Sequence, residues 1–243
     1  MRALLLDIGN SRTKAAIHDS QKLIDFITFD KNQYESILQY AKEFRAEACC
    51  FCNVGDLDER FVEKLQAGFA VCHQVTPASC LPFQHEKGAI YATMGSDRIA
   101  ALAGAYIRFP NQATLLVDAG SAITYDFLDD KGFYKGGLIT AGLRMRLKAL
   151  HEFTAKLPLV DIPDSTSSEL LATDTQQALQ AGCVAGLKGE YQYIANYLTT
   201  RYSSFQTLLT GGDAQSLAKF YLCRNFIPNL VLEGLYGLLQ CNC

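Results

Sequence analysis

A short apolar run that ends in an acid occurs twice in this chain, and this recurrence limits the possible folds more than any other feature. Residues 4–9 read LLLDIG and residues 115–120 read LLVDAG, which places Asp7 and Asp118 111 positions apart, and Thr13 and Thr124 match in the same frame. Each run is followed by a pattern of strand, turn and strand. We therefore interpret the chain as two related halves, although an apolar run followed by Asp and Gly also recurs by coincidence.

The segments after each predicted hairpin favour helices, because apolar residues recur there at helical spacing. Helices are expected at 33–46, 57–67, 95–109, 143–153 and 174–200. The segment EACCFCNV predicts a buried strand, and Ser96 and Asp97 are residue types that cap helices. Strands and helices alternate, which predicts an α/β fold class. The expected domains are 1–111 and 112–243.

Composition excludes several classes of function. The 243 residues are 49% hydrophobic and carry a net charge of −3, which leaves no basic footprint for nucleic acid. No apolar run approaches the roughly 20 residues of a membrane span. The nine cysteines are odd in number and favour reduced thiols over disulfides or zinc. We expect a cytoplasmic protein without nucleic-acid or membrane partners, since the first residues do not have the pattern of a signal peptide.

Asp7 and Asp118 are candidate cation-binding residues. If a pseudo-twofold axis relates the halves, the two strand ends face each other across a cleft, and the glycine turns after them offer N–H groups to phosphate. A carboxylate beside a phosphate requires a cation such as Mg²⁺ or a monovalent ion. The segment TGGDA adds a third glycine turn suited to a nucleotide. The alternative is a tight turn in which the acid caps a helix. The chain contains neither a Walker A loop nor a Rossmann fingerprint.

Two further segments carry candidate substrate residues. In GSDR, Asp97 has the carboxylate that a kinase needs to orient an alcohol and accept its proton, and Arg98 can clamp an anionic group. The alternative is a capping Asp followed by a solvated Arg. In GGLITAG, residues 136–142, the glycines either shape a substrate wall or only connect a strand to a helix.

These motifs resemble those of the type III pantothenate kinases. DIGNS, GSDR, DAGSA and GGLITAG occur in the family's order and spacing, and TAKLP and TGGDA add to the match. The resemblance implies two ribonuclease-H-like halves of the actin-like ATPase fold around a nucleotide cleft. It also implies ATP-dependent phosphorylation of pantothenate to 4′-phosphopantothenate, the first step of coenzyme A biosynthesis.

The resemblance assigns roles to individual residues. Asp97 matches the proton acceptor, Asp118 the ligand of a monovalent cation (K⁺ or NH₄⁺), and Asp7 a residue that positions Mg²⁺ through water. The residues expected at ATP are Asp7, Ile8, Gly9, Asn10, Ser11, Arg12, Thr13, Lys14 and Ser121. The residues expected at pantothenate are Gly95, Ser96, Asp97, Arg98, Thr175 and Tyr91. Fewer residues separate Tyr91 from GSDR than separate the family's tyrosine from the same motif.

The family also implies a homodimer with the substrate site near the interface. Gly182, Gly186 and Gly189 would let another helix approach the long helix closely, either within the chain or across such an interface. Two alternatives to the reaction remain open. One is a kinase for another small alcohol, and the other is a non-catalytic nucleotide-binding regulator of the same fold.

Overall fold

A computed structural model describes residues 1–10, 12–85, 93–163, 170–221 and 225–243. The strands in chain order are β1 (Ala3–Ile8), β2 (Arg12–His18), β3 (Leu23–Asp30), β4 (Ala48–Asn53), β5 (Val71–Gln74), β6 (Gln84–His85), β7 (Thr114–Ala119), β8 (Ala122–Leu128), β9 (Phe133–Ala141), β10 (Gln206–Thr210) and β11 (Asn225–Phe226). The helices are α1 (Tyr34–Glu43), α2 (Glu59–Gly68), α3 (Ser96–Arg108), α4 (Leu143–Glu152), α5 (Thr175–Thr199), α6 (Ala214–Tyr221) and α7 (Leu230–Cys241). This order confirms the α/β class.

The chain forms two compact units. The first contains residues 1–111, 130–134 and 229–243, and the second contains residues 112–129 and 135–228. The division into domains 1–111 and 112–243 concerns related halves of the chain and stays a prediction. The chain passes from the first unit to the second after residue 111, and the last helix, α7, belongs to the first unit.

One sheet topology occurs in both units. The first sheet has the order β3-β2-β1-β4-β5, and the strands of the second unit have the order β9-β8-β7-β10-β11. In each case the central strand pairs antiparallel with the strand that follows it and parallel with a later strand. The central strands β1 and β7 are buried on both faces, which explains why their sequences are continuous apolar runs.

Asp7 and Asp118 occupy the same position in the two sheets. Each follows four buried residues in its central strand and is itself only partly buried. Lys14 lies opposite Asp7, and Thr124 lies opposite Asp118. The second hairpin is therefore one residue shorter. In the structure Thr124 corresponds to Lys14, whereas the ungapped sequence comparison pairs it with Thr13. Asp7 is therefore opposite a residue with an ammonium group, Lys14, whereas Asp118 is opposite a residue with a neutral hydroxyl group, Thr124.

Helices α3 and α7 pack closely together within the first unit. A Cβ atom on Gly234 would lie 1.8 Å from the carbonyl oxygen of Ala100, so the two backbones touch where a side chain would otherwise separate them. Arg108 on α3 donates two hydrogen bonds to the Glu233 carboxylate, at 3.0 and 2.9 Å. These contacts attach α7 to the helix that carries Asp97.

Two details differ from the sequence-based expectation. The N-cap of α3 is Gly95 rather than Ser96 or Asp97, so both of those side chains are available for other contacts. On α5, a Cβ atom on Gly182 or Gly189 would meet nothing within 4 Å among the described residues, so close packing against that part of the chain does not explain these glycines. Among the helices of the described residues, none has both the length and the apolar character needed to cross a bilayer.

Candidate active site

The Asp7 carboxylate is held by side chains from both neighbouring strands. Lys14 on β2 and Cys52 on β4 are its register partners. The Lys14 Nζ lies 3.6 Å from Oδ2, and the two side chains are 34% and 14% exposed. On the other side, the Cys52 Sγ donates to Oδ1 at 3.6 Å. The buried strand therefore ends in an acid whose two oxygens have different partners, one charged and one neutral.

Cys52 is a neutral thiol in this site. The residue is completely buried, and this burial raises the pKa of the thiol well above its usual range, with the charges of Asp7 and Asp97 acting in the same direction. A protonated thiol is a hydrogen-bond donor and is inert as a nucleophile. It can therefore orient the Asp7 carboxylate without adding charge.

Asp97 lies in the same site, in the first turn of α3. Burial is the main cause that raises its pKa; the backbone N–H of Arg98 opposes this effect, and the charge of Asp7 adds to it. That N–H donates to Oδ1 at 2.7 Å. Two carboxylates that interact electrostatically in a partly buried site are a common feature of catalytic sites. A raised pKa also makes Asp97 a stronger base than an exposed aspartate.

Ser96 attaches the start of α3 to the end of β4. Its hydroxyl donates to the carbonyl oxygen of Asn53 and accepts from the N–H of the same residue, both at 3.0 Å. The Asn53 side-chain oxygen accepts the N–H of Gly55 at 3.1 Å. A Cβ atom on Gly55 would lie 3.0 Å from the carbonyl oxygen of Gly9. This chain of contacts fixes Asp97 and the turn after Asp7 relative to each other.

Sequence analysis missed the contribution of Cys52 and Asn53. The segment EACCFCNV was interpreted only as a buried strand. A signal was present, because the carboxyl ends of neighbouring parallel strands lie at one edge of a sheet, where ligands commonly bind. β4 pairs parallel with β1, so its last residues lie beside Asp7.

The expected ATP-binding segment after Asp7 forms a tight hairpin. The N–H of Gly9 donates to the carbonyl oxygen of Arg12 at 3.0 Å, so this amide closes the turn. Asn10 and Arg12 are exposed, whereas Ile8 and Thr13 are buried. Contacts of the two buried residues with a ligand would therefore involve their backbone. Ser11 lies outside the described residues.

Arg98 points to a tyrosine of the same unit. Its Nη2 donates to the hydroxyl of Tyr134 at 3.2 Å. Tyr134 is buried, which restricts the position of the guanidinium group. Gly95 precedes this arrangement, and a Cβ atom on it would lie 2.6 Å from Asp97 Oδ1. Tyr91, which was also expected at the substrate, lies outside the described residues.

Three glycine turns meet around Asp118 in the second unit. A Cβ atom on Gly211, whose φ is +98°, would lie 2.4 Å from both Asp118 Oδ1 and the carbonyl oxygen of Ala119. The N–H of Gly142 donates to the carbonyl oxygen of Ser121 at 2.9 Å. The segments DAGSA, TGGDA and GGLITAG are thus adjacent in space. Ser121 is exposed beside this group of turns.

Thr175 begins α5 and lines a groove of about 790 Å³ in the second unit. The helix is capped by Asp174, whose carboxylate accepts the N–H of Gln177 at 2.9 Å. The groove is mostly apolar and includes Arg146, whose Nη2 donates to Thr140 Oγ1 at 2.8 Å and to Glu190 Oε2 at 2.5 Å. Thr175 therefore lies in a concave surface, and its contact with pantothenate stays a prediction.

The acidic residues at the strand ends are suitable ligands for cations whose remaining ligands come from a bound nucleotide. Among the described residues, no three His, Cys, Asp or Glu side chains are grouped as a protein cage for a metal. In phosphoryl-transfer sites, Mg²⁺ takes one or two carboxylates and obtains its other ligands from phosphates and water. The Asp7 carboxylate, which is partly exposed at a strand end, is a suitable donor for such an ion.

The class of protein follows from the fold. A solved structure described as a candidate N-acetylmannosamine kinase from Listeria monocytogenes has a TM-score of 0.54 at 13% identity and covers 99% of each chain. Together with the repeated sheets and their acidic strand ends, this similarity defines a protein of the actin-like ATPase and sugar-kinase fold.

The particular family follows from the sequence comparisons. The sequence model of the type III pantothenate kinases matches residues 3–196. A type III pantothenate kinase from Flavobacterium johnsoniae is 36% identical over 96% of this chain and 95% of its own. A solved structure described as a candidate Baf family transcriptional activator from Campylobacter jejuni has a TM-score of 0.61 at 26% identity and covers 98% of this chain and 97% of its own. The chain belongs to the type III pantothenate kinase family.

Proposed function

We propose that this chain transfers the γ-phosphoryl group of ATP to the terminal hydroxyl of pantothenate, the first step of coenzyme A biosynthesis. Membership of the type III pantothenate kinase family supports the reaction. The observation that carries the assignment of residues is the pair of partly buried acids, Asp7 and Asp97, whose charges interact in one site of the first unit. Phosphoryl transfer requires positioning and charge neutralisation more than covalent chemistry, and this pair can provide both.

Asp97 orients the hydroxyl of pantothenate and accepts its proton as the phosphorus–oxygen bond forms. Its raised pKa brings the carboxylate closer to the basicity that general-base catalysis needs. Arg98 binds the carboxylate of pantothenate, because a guanidinium group fixed by Tyr134 can form charge-assisted hydrogen bonds with an anion. Gly95 and Ser96 complete this part of the site by fixing the start of α3.

Asp7 positions the Mg²⁺ of ATP through water. When bound, Mg²⁺ neutralises charge on the phosphates. The chain contributes an oriented carboxylate for this ion and, in Lys14, a partly exposed ammonium group for the phosphates. The exposed Asn10 and Arg12 can reach the nucleotide, whereas Ile8, Gly9 and Thr13 contribute backbone groups. The contact of Ser11 with ATP stays a prediction.

Asp118 binds a monovalent cation, K⁺ or NH₄⁺, in the second unit. Thr124 stands where the first unit has Lys14, so the second acid lacks the ammonium group that its counterpart has at this position. The carbonyl oxygen of Ala119 lies against the same glycine turn as the Asp118 carboxylate, and such oxygens suit a hard cation. Ser121 contacts ATP in this proposal, and the exposure of its side chain supports this role.

The experiment that tests the reaction is an ADP-release assay with and without pantothenate, in K⁺ and in a buffer with tetramethylammonium as the only monovalent cation. We expect ADP release to require pantothenate and to rise with K⁺. Asp118→Asn is expected to lose most of the K⁺ activation while Asp129→Asn, a change in the same unit, keeps it. Release of ADP without pantothenate would contradict the reaction, and K⁺ activation that persists in Asp118→Asn would contradict the cation site.

We also propose a homodimer with the substrate site near its interface. The exposed face of α5 supports it, since it combines the open Gly182 and Gly189 with Tyr193 and Tyr197, which are 74% and 50% exposed. Thr175 begins the same helix and is proposed to contact pantothenate. Sedimentation velocity should give a dimer at assay concentrations, and a monomer that is fully active would contradict the proposal. The cytoplasmic location stays a prediction.

A second candidate function is a nucleotide-binding regulator without catalysis. The observation in its favour is the similarity to the structure described as a transcriptional activator. The largely buried Asp97 favours the kinase. A protein that only binds a nucleotide does not need a second carboxylate near Asp7, where burial and the charge of Asp7 both disfavour its ionised form. The same assay decides, since a regulator would bind ATP without pantothenate-dependent turnover.

A further inference from the structure

We propose that Cys52 is a positioning residue of the kinase, which holds the Asp7 carboxylate in the orientation that Mg–ATP requires. The inference rests on the proposed role of Asp7 and adds a residue that acts through it. The Sγ atom donates to Asp7 Oδ1 at 3.6 Å from β4, while Lys14 lies 3.6 Å from Oδ2 on the other side.

The geometry gives the two oxygens separate tasks. Because the thiol occupies Oδ1, rotation of the carboxylate about its Cβ–Cγ bond breaks a hydrogen bond. Oδ2 then lies next to the Lys14 ammonium group, on the partly exposed side of the strand end. A residue that fixes a metal-binding carboxylate from behind acts like the hydrogen-bonded partners that orient metal ligands in other sites.

A neutral donor is the suitable choice at this position. A second cationic donor in addition to Lys14 would neutralise the carboxylate and weaken its attraction for the metal, and an apolar residue would leave Oδ1 without this hydrogen bond. The thiol is small enough for a fully buried position and still donates.

The packing of β4 provides a matched control. Cys50 is two residues earlier on the same face of the strand and is also completely buried. Its register partner on β1 is Leu5 rather than Asp7. Cys50→Ala therefore removes the same atoms from the same sheet without changing a contact of the acid.

The test compares Cys52→Ala, Cys52→Ser and Cys50→Ala. We expect Cys52→Ala to weaken Mg–ADP binding, measured by calorimetry without pantothenate, about tenfold, and to raise KM for Mg–ATP similarly. KM for pantothenate should not change. Cys52→Ser should recover part of the loss, because its hydroxyl donates but has a shorter reach. Cys50→Ala should match the wild type in both nucleotide measurements.

Equal nucleotide binding in Cys52→Ala and Cys50→Ala would overturn the inference, as would a Cys52→Ser variant no better than Cys52→Ala. If Cys52→Ala does not fold, Cys52→Val, which fills the buried position without a hydrogen-bond donor, replaces it: weaker Mg–ADP binding at an unchanged melting temperature supports the inference, and wild-type affinity overturns it. A wild type without pantothenate-dependent ADP release refutes the proposed reaction, which is a different result from equal variants of an active kinase.

Discussion

Asp97→Asn is expected to reduce kcat for pantothenate phosphorylation by about 10²- to 10⁴-fold, the range typical for loss of a general base. The amide has nearly the same shape and can still accept the N–H of Arg98, which now reaches Asp97 Oδ1 at 2.7 Å. It cannot accept the proton of the substrate hydroxyl. Single-turnover measurements at saturating ATP and pantothenate would isolate this loss from changes in binding.

The same substitution is expected to leave the free energy of unfolding unchanged or to raise it. Burial raises the pKa of Asp97, so the folded state disfavours the ionised carboxylate relative to the unfolded state. The contribution of Asp97 to the stability of the wild type is therefore present at low pH and is lost as the pH rises through the raised pKa of this residue. Asn removes this penalty near pH 7. Urea titrations at several pH values should show the advantage of the variant decreasing as the pH falls.

The matched control is Asp56→Asn, which removes an exposed carboxylate from the same unit. It should retain wild-type kcat and stability. A variant Asp97→Asn that keeps its activity would contradict the assignment of the base. A variant that loses activity together with stability would indicate that the carboxylate holds the start of α3 rather than the substrate.

Much of the local structure could be predicted because it depends on neighbouring residues. Apolar runs and helical spacing gave the strand at Ala48–Asn53 and the helix at Thr175–Thr199 close to their observed ends. The recurrence of the acid directly after an apolar run indicated its position at the end of a buried strand in both halves. These features depend on short-range patterns of burial that any buried strand or helix must satisfy.

The parts that could not be predicted depend on contacts between distant positions. Cys52 meets Asp7 across 45 residues, and Ser96 meets Asn53 across 43. Neither pair has a spacing that a sequence pattern records, because the strand order of the sheet brings them together. The one-residue difference between the two hairpins also escaped an ungapped comparison, although it decides that Lys14 and not Thr13 faces the acid.

Asp7→Asn is expected to lower kcat/KM for Mg–ATP by about 10²- to 10³-fold, comparable to the loss of one preorganised electrostatic group in other active sites. The amide keeps an oxygen that can accept the Cys52 thiol. It removes the negative charge that orients the hydrated Mg²⁺, and it leaves the ammonium of Lys14, now 3.6 Å from Oδ2, without this counter-charge. A titration with Mg²⁺ at fixed ATP should show a weaker apparent affinity for the metal.

Lys14→Met separates the two roles that Asp7 has in the structure. If Asp7 acts mainly by holding Lys14, the two single variants and the double variant should have the same kcat/KM for Mg–ATP, because each breaks the same ion pair. If Asp7 acts on the metal, Asp7→Asn should shift the Mg²⁺ dependence and Lys14→Met should not. We expect the second result, because Oδ1 is fixed independently of Lys14 by Cys52, so the carboxylate keeps its orientation when the ammonium is removed. Unfolding of Asp7→Asn would instead show that the acid serves the fold, since a partly buried charge between two strands then contributes to their pairing rather than to the nucleotide.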